Sequence, residues 1–293
     1  MEKRTWTIKE LLHVATDYLQ QKGINKPRLA SEILLAHALG VERITLYLDY
    51  DRPLTSNEVS IFRRLIKRRA TCEPLQYITG SQEFWSLEFA VNSSVLVPRP
   101  ETELLVEQTV KACGELKQVE TGQLRILDLC TGCGAVAISI AYELPEVLVW
   151  ATDCSAKALE VARANARTHK VSERVELLQG DLFGPLKALG LKFHVIVSNP
   201  PYVAEEEYSD LPVEIKDYEP REALDGGPGG MLFIKRIIKE APDFLAPHGR
   251  VMIEMDPRQV TTARELVNSN SAFKRCDVIK DYSGLDRVVI AGG

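Results

Sequence analysis

The most specific chemistry in the chain is carried by Asn199-Pro200-Pro201-Tyr202, directly after the apolar run Val195-Ile196-Val197. An Asn side-chain oxygen accepts hydrogen bonds, and so does the backbone carbonyl of Pro200, since proline lacks the N–H but keeps its C=O. Two consecutive prolines restrict the backbone and hold both acceptors ready. Tyr202 adds an aromatic face on which a flat group can stack. Such a set suits a planar –NH₂ group. The lone pair of an amide nitrogen is delocalised into its carbonyl, which makes it a poor nucleophile. Acceptors on both of its hydrogens favour positive charge developing on nitrogen. Positioning toward an electrophile supplies much of the rest, and no strong general base is required.

The electrophile needs a second site, and Ile126-Leu127-Asp128-Leu129-Cys130-Thr131-Gly132-Cys133-Gly134 offers one. It reads as a buried strand running into a Gly-rich turn and then a helix, where the backbone must approach a ligand closely. Asp153 ends the next strand and can accept from both hydroxyls of a ribose. Gly132-x-Gly134-x-x-Ala137 also fits a dinucleotide fingerprint. Asp128 argues in part against that reading, because a carboxylate there repels a pyrophosphate but suits the ammonium of a methionine moiety, as in S-adenosyl-L-methionine. Cys130 and Cys133 form a Cys-x-x-Cys without a second such pair or paired histidines, so no metal site is expected. His194, inside a strand, reads as a satisfied core residue.

These segments sit within an alternating pattern. Strands are expected at Arg125–Leu129, Val147–Thr152, Val175–Gln179, His194–Ser198, Arg250–Met255, Cys276–Ile279 and Arg287–Ile290. Helices are expected at about 134–143, 155–168, 230–245 and 257–269. The alternation predicts an α/β domain with a mainly parallel sheet covered on both faces. Earlier, Thr7 caps an expected helix ended by Gly23, Pro27 opens a second ended by Gly40, and Ser56 caps a third. The third carries Arg63, Arg64, Lys67, Arg68 and Arg69 on its outer face, either as a solvated surface or as a dock for an acidic partner. Phe84, Trp85, Leu87, Phe89 and Val91 predict a hairpin. The expected divisions are residues 1–73 as a helical recognition domain, 74–100 as a β-hairpin linker and 101–293 as the catalytic domain.

The 293 residues carry 36 Lys/Arg and 41 Asp/Glu, a net charge of -5. Residues 1–75 hold 13 basic and 9 acidic residues, and the remainder 23 and 32. The acidic catalytic part argues against stable nucleic-acid binding. No run of 18 apolar residues and no secretory leader are read, so a cytoplasmic protein with reduced thiols and no membrane span is expected. Monomer is the default.

On these residues the chain resembles the release-factor glutamine methyltransferase family (the HemK/PrmC family), over essentially its whole length. Beyond the tetrapeptide, the resemblance is carried by Glu73-Pro74-Leu75-Gln76-Tyr77-Ile78-Thr79-Gly80, Val97-Pro98-Arg99-Pro100-Glu101-Thr102-Glu103 and Tyr218-Glu219-Pro220. Asp281-Tyr282, with Gly284 and Asp286-Arg287, adds to it. The resemblance implies a five-helix bundle, a linking hairpin and a class I (Rossmann-like) seven-stranded methyltransferase domain that uses S-adenosyl-L-methionine. It implies methylation of the glutamine of a Gly-Gly-Gln motif in class I peptide chain release factors. It also implies that residues 130–134 form the cofactor loop, that Asp153 binds the ribose and that Asp181-Leu182 borders the adenine. Glu101 and Thr102 would lie near the cofactor, Asn199 to Tyr202 would hold the glutamine amide, and Arg64 and Lys67 would contact the release factor. Two departures stand out. Cys130 occupies the place of a glycine, and Ile253-Glu254-Met255-Asp256 lacks the glycine expected after its acidic residue. Competing readings are adenine-N6 methylation of DNA, since the tetrapeptide also suits a flipped base, and methylation of a ribosomal-protein glutamine.

Overall fold

The computed structural model describes residues 5–120 and 122–293. The chain divides into two compact units, one running up to Gly80 and including Pro212–Tyr218, the other Ser81–Leu211 with Glu219–Gly293. No helix among the described residues is long and apolar enough to cross a membrane.

The first unit is helical: α1 (Ile8–Gln21), α2 (Pro27–Leu39), α3 (Thr45–Leu48), α4 (Ser56–Arg69) and α5 (Leu75–Thr79), with a short ladder between β1 (Trp6–Thr7) and β2 (Pro53–Leu54). Thr7 caps α1 in a reciprocal box with Glu10, and Gly40 ends α2 in the left-handed region. The cap of α4 is Thr55, boxed with Glu58, and not Ser56, which is the first helical residue. A threonine followed three residues later by glutamate satisfies two orphan backbone donors, which a cap at Ser56 could not do here. Leu12, Leu19, Leu34, Leu35, Leu46 and Phe62 form the centre of the core. Each such side chain contributes about 1.5–3 kcal/mol by leaving water. The expected basic face of α4 is smaller than its sequence suggests. Arg69 is buried and donates to the Glu73 carbonyl and to Glu214, while Arg68 pairs with the Glu73 carboxylate. Arg63, Arg64 and Lys67 line a hollow beside Trp6 and Leu54.

In the second unit the hairpin of β3 (Ser81–Phe84) and β4 (Leu87–Ala90) precedes α6 (Glu103–Leu116). The hairpin packs with this unit, and α5 with the first, so the structural division falls at Gly80 rather than at residues 73 and 100. Asn165 explains the hairpin's allegiance: its side chain exchanges hydrogen bonds with both backbone groups of Ala90 and donates to the Cys133 carbonyl. The turn residues Trp85 and Ser86 both have positive φ, as a two-residue hairpin with right-handed strand twist requires. Glu103 accepts from the Trp85 N–H at 2.8 Å and holds that turn.

The large sheet contains β5 (Arg125–Leu129), β6 (Leu148–Asp153), β7 (Val175–Gln179), β8 (Phe193–Ser198), β9 (Leu245–Glu254), β10 (Arg275–Lys280) and β11 (Asp286–Gly292). Their order is β10-β11-β9-β8-β5-β6-β7. The strands β5 to β9 pair in parallel, and β11 is antiparallel to both neighbours. Helices α7 (Ala135–Glu143) and α8 (Ala156–Thr168) follow β5 and β6. After β8 the chain forms α9 (Val213–Lys216), which belongs with the first unit, then α10 (Leu232–Glu240) and α11 (Val260–Ser269). All six residues of β8 are buried, as a central parallel strand demands. This is the seven-stranded class I methyltransferase fold. The β9 strand begins five residues before the expected Arg250, and α10 ends at Glu240, passing into the 3-10 turn Ala241–Asp243. Pro242 cannot continue a helical hydrogen-bond ladder, which accounts for the early end.

Candidate active site

The chain winds outward in one direction from β5 to β6 and β7, then returns to place β8 on the other side of β5. That reversal leaves a crevice at the carboxyl ends of β5 and β8, where open parallel sheets bind ligands. The Gly-rich turn follows β5 and the tetrapeptide follows β8, so both motifs open into one cavity. Cys130 and Gly132 line it from the turn, Asp153 from β6, Asp181 and Leu182 from beyond β7, and Asn199 and Pro201 from beyond β8.

The remaining expected cofactor residues support this wall without lining it. Asp128 is 1% exposed and accepts from the Thr131 hydroxyl at 2.6 Å. Burial pushes its carboxyl up to about 7. The geometry makes it a clasp for the turn. Gly134 caps α7 with φ +85, a conformation that L side chains rarely adopt, and a Cβ there would also lie 2.7 Å from Ile138 Cδ1 and 3.2 Å from Ala162 Cβ of α8. Cys133 is buried, and its thiol is pushed up to about 12 by the same desolvation. Cys130 and Cys133 are free cysteines. Asp153 accepts from the Gly132 N–H at 2.8 Å and from the Ser155 N–H at 2.9 Å, tying the turn to β6. Asp181 holds Arg236 in a two-pronged pair at 2.7 and 3.1 Å.

Cys130 sits at φ +60, the left-handed region that its departure from glycine makes strained. A side chain there costs about 1–2 kcal/mol. Cys130→Gly is therefore expected to keep thermal stability at or above wild type. Cys130→Val, branched at Cβ, is expected to lose about 1–3 kcal/mol. Thermal denaturation of the two variants separates these outcomes, and equal losses would remove the strain argument.

Asn199 has one arm tied down: its Nδ2 donates to Thr102 Oγ1 at 3.0 Å. Among the described residues its Oδ1 and the Pro200 carbonyl accept no hydrogen bond. Tyr202 is partly buried against the core, and its hydroxyl donates to Glu254 Oε1 at 3.4 Å. Burial raises the Tyr202 pKa, so the phenol stays protonated. The backbone behind the tetrapeptide is clamped. Gln259 Nε2 donates to the Tyr202 carbonyl at 2.7 Å and to the Gly229 carbonyl at 3.1 Å, while its Oε1 accepts from the Asp256 N–H. The linker joins the same region through Arg99, which pairs at 2.6 Å with the buried Glu219.

Sequence reasoning named Glu254 only as an acidic residue without its expected glycine, and it missed Gln259 and the Arg99–Glu219 pair. Only the family-like segments around Arg99 and Glu219 carried a signal for the last. Glu101 is exposed and Thr102 buried, and neither lines the cavity. Arg64 and Lys67 lie in the first unit.

Residues 10–80 match the family model of the PrmC N-terminal domain, and residues 102–215 that of the methyltransferase small domain. A release factor glutamine methyltransferase from Rhodopirellula baltica is 40% identical over 285 residues, spanning 97% of this chain and 95% of that protein. One from Geobacter sulfurreducens is 40% identical over 284 residues, spanning 97% and 96%. The crystal structure of a methyltransferase from Pyrococcus furiosus, 21% identical, aligns with a TM-score of 0.51 over 77% of this chain and 98% of that one, a likeness of fold. With near-complete coverage at this identity, the chain belongs to the release factor glutamine methyltransferase family.

Proposed function

We propose that the protein methylates the side-chain amide nitrogen (N5) of the glutamine in the Gly-Gly-Gln motif of class I peptide chain release factors, with S-adenosyl-L-methionine as methyl donor. The observation that carries this reading is the pair of open acceptors, Asn199 Oδ1 and the Pro200 carbonyl, beside the crevice of β5 and β8. The names and full-length similarity of the relatives support the choice of substrate.

The cavity's chemistry fits the donor. Asp153 presents a carboxylate to a ribose, while Leu182 and Phe233 offer apolar surface to a purine. Cys130 and Gly132 bring backbone close to a methionine moiety. When bound, the cofactor supplies an electrophilic methyl group. The chain's own residues do the rest. Asn199 and Pro200 accept the two amide hydrogens of the glutamine, which orients its nitrogen and favours positive charge on it. Tyr202 packs beside them as a neutral phenol. The place of action is the cytoplasm, where a translation factor would be met.

Labelled cofactor offered with a release factor, its Gly-Gly-Gln→Gly-Gly-Asn variant and unmethylated DNA tests the reading. Label confined to the intact release factor is the expected result. Label on DNA would move the function to adenine-N6 methylation.

Arg64 and Lys67 form the candidate contact for the release factor. Their reversal to glutamate is expected to weaken binding of the release factor by about tenfold, more at low salt, with cofactor affinity unchanged. Titration calorimetry with each ligand checks this; unaltered release-factor binding would return the α4 face to plain solvated surface.

A further inference from the structure

The turn between β10 and β11 takes no part in the proposed chemistry, yet it presents Tyr282 at 89% exposure and Leu285 at 51%. The turn that offers these two large side chains to solvent is tightly held. Asp281 Oδ1 accepts from the Ser283 and Leu285 N–H groups at 2.9 and 3.0 Å, and its Oδ2 accepts from Arg287 Nη2 at 3.2 Å. The Asp281 N–H donates to the Leu285 carbonyl, and Gly284 closes the turn with φ +83. Tyr282 is steadied by a hydrogen bond from its hydroxyl to Glu107 Oε2 at 3.3 Å. An aromatic ring held in place while facing water meets a partner with little further loss of freedom.

Two routes place the ring on the same side of the domain as the tetrapeptide. Both β9 and β10 are antiparallel to β11, so they run the same way, and the turn after β10 stands at the carboxyl end of the sheet with the cavity. Arg287, which holds Asp281, accepts at its carbonyl from the N–H of Met255, the residue after Glu254, and Glu254 accepts from the Tyr202 hydroxyl. Glu107 lies on α6, which begins directly after Thr102, and Thr102 accepts from Asn199. The helical rise from Thr102 to Glu107 is only about 7–8 Å.

The charge beside the ring is negative. Glu103 and Glu107 are one turn apart on α6 and share a face. Glu101 is exposed on the turn before them. The charges of Glu107 and Glu103 raise the Tyr282 pKa, so the phenol stays neutral. The cations of the hairpin are already engaged, Lys280 with Asp286 at 2.8 Å and Arg287 with Asp281. An electron-rich ring with carboxylates beside it attracts a cation and turns away an acidic chain.

We infer that Tyr282, with Leu285, is a docking residue for the protein substrate, and that its ring receives a Lys or Arg side chain from the release-factor segment beside the glutamine. The cationic head lies over the ring near Glu107, and its aliphatic stem packs against Leu285. The contact contributes to recognition of a glutamine carried on a basic surface, and not to methyl transfer itself.

This inference rests on the release-factor reading, and the experiment separates the two. Tyr282→Ala, Tyr282→Phe and wild type are compared by steady-state methyl transfer to an intact release factor, by cofactor calorimetry and by thermal melting. Tyr282→Ala is expected to raise KM for the release factor about 3- to 30-fold, with kcat, cofactor affinity and melting temperature unchanged. Tyr282→Phe, which keeps the ring and loses only the bond to Glu107, stays within about twofold of wild type. The nearest Lys and Arg on either side of the Gly-Gly-Gln are then replaced by Gln, one at a time. One replacement is expected to raise KM with wild type and to add nothing with Tyr282→Ala. The inference is overturned by an unchanged KM in Tyr282→Ala, by a kcat or melting temperature that falls with it, or by a Tyr282→Phe equally impaired. Losses that add in full for every basic residue overturn it too, and all four outcomes leave the proposed activity standing. A wild-type enzyme that transfers no methyl to the intact release factor defeats the proposed function itself, and the docking role falls with it.

Discussion

Asn199→Ala loses methyl transfer by a factor of about 10²–10³, the usual effect of deleting one preorganised group that meets developing charge, while the cofactor still binds. The side chain contributes one of the two acceptors for the substrate –NH₂, and the Pro200 carbonyl remains because it belongs to the backbone. The cofactor wall is otherwise intact, since Asp153, Asp181 and Leu182 reach the cavity from other strands. Stability falls only modestly, by about 1 kcal/mol, as Thr102 loses one donor. Asn199→Asp is not a rescue. It keeps an acceptor, but it cannot donate to Thr102, and it brings a second carboxylate toward Glu254. Single-turnover transfer and cofactor calorimetry on both variants make the test; wild-type turnover in Asn199→Ala would show that the amide is held by something else.

Gly230→Ala is expected to cut kcat by about 10²-fold through a misplacement of the tetrapeptide that no side-chain movement can absorb. A Cβ at Gly230 would lie 2.0 Å from the Tyr202 carbonyl oxygen and 2.3 Å from Gln259 Nε2. The first atom is backbone and the second is the donor that anchors it, so the clamp and the loop must separate. The φ of +67 adds the left-handed penalty of about 1–2 kcal/mol. Gly229→Ala is the control, because its φ is +59 but its Cβ would meet nothing within 4 Å. It should lose stability alone and keep its turnover. Comparing kcat and melting temperature for the pair separates clash from conformational penalty, and a fully active Gly230→Ala would refute the account of Tyr202 being held by this contact.

Glu254 is a buried carboxyl whose protonation is linked to folding. Its carboxyl rises from 4.5 to about 7 on folding, so the folded state binds the proton more tightly than the unfolded one. The native state is therefore favoured below the unfolded value, and that advantage is lost as pH rises through about 7. Asp128, raised from 3.8 to about 7, acts in the same sense. At pH above neutrality Glu254→Gln is expected to be the more stable protein, because it avoids holding an ionised carboxylate away from water, and melting temperatures of the two proteins across about pH 6 to 9 check this.

Much of this was legible before any coordinates. Periodicity located the strands of the large sheet to within a few residues, because a parallel strand buried on both faces must be an apolar run and its following helix must be amphipathic. Asn199-Pro200-Pro201-Tyr202 and the glycines after β5 were legible because their work is done by backbone carbonyls and left-handed turns, which demand particular residue types at adjacent positions. The cap of α4 was misassigned by one residue, since threonine and serine offer the same oxygen and only the geometry with Glu58 chooses. The outer face of α4 lost Arg68 and Arg69 to partners, one of them Glu214, 145 residues away in sequence. The clamp of Gln259 on Tyr202 and the bond from Asn199 to Thr102 were decided by tertiary structure alone. A glutamine at the start of a helix and a threonine at the end of a short turn look ordinary in sequence. They acquire roles only because the order β9-β8-β5 sets the carboxyl ends of three strands side by side, where hydrogen bonds join residues that no local pattern connects.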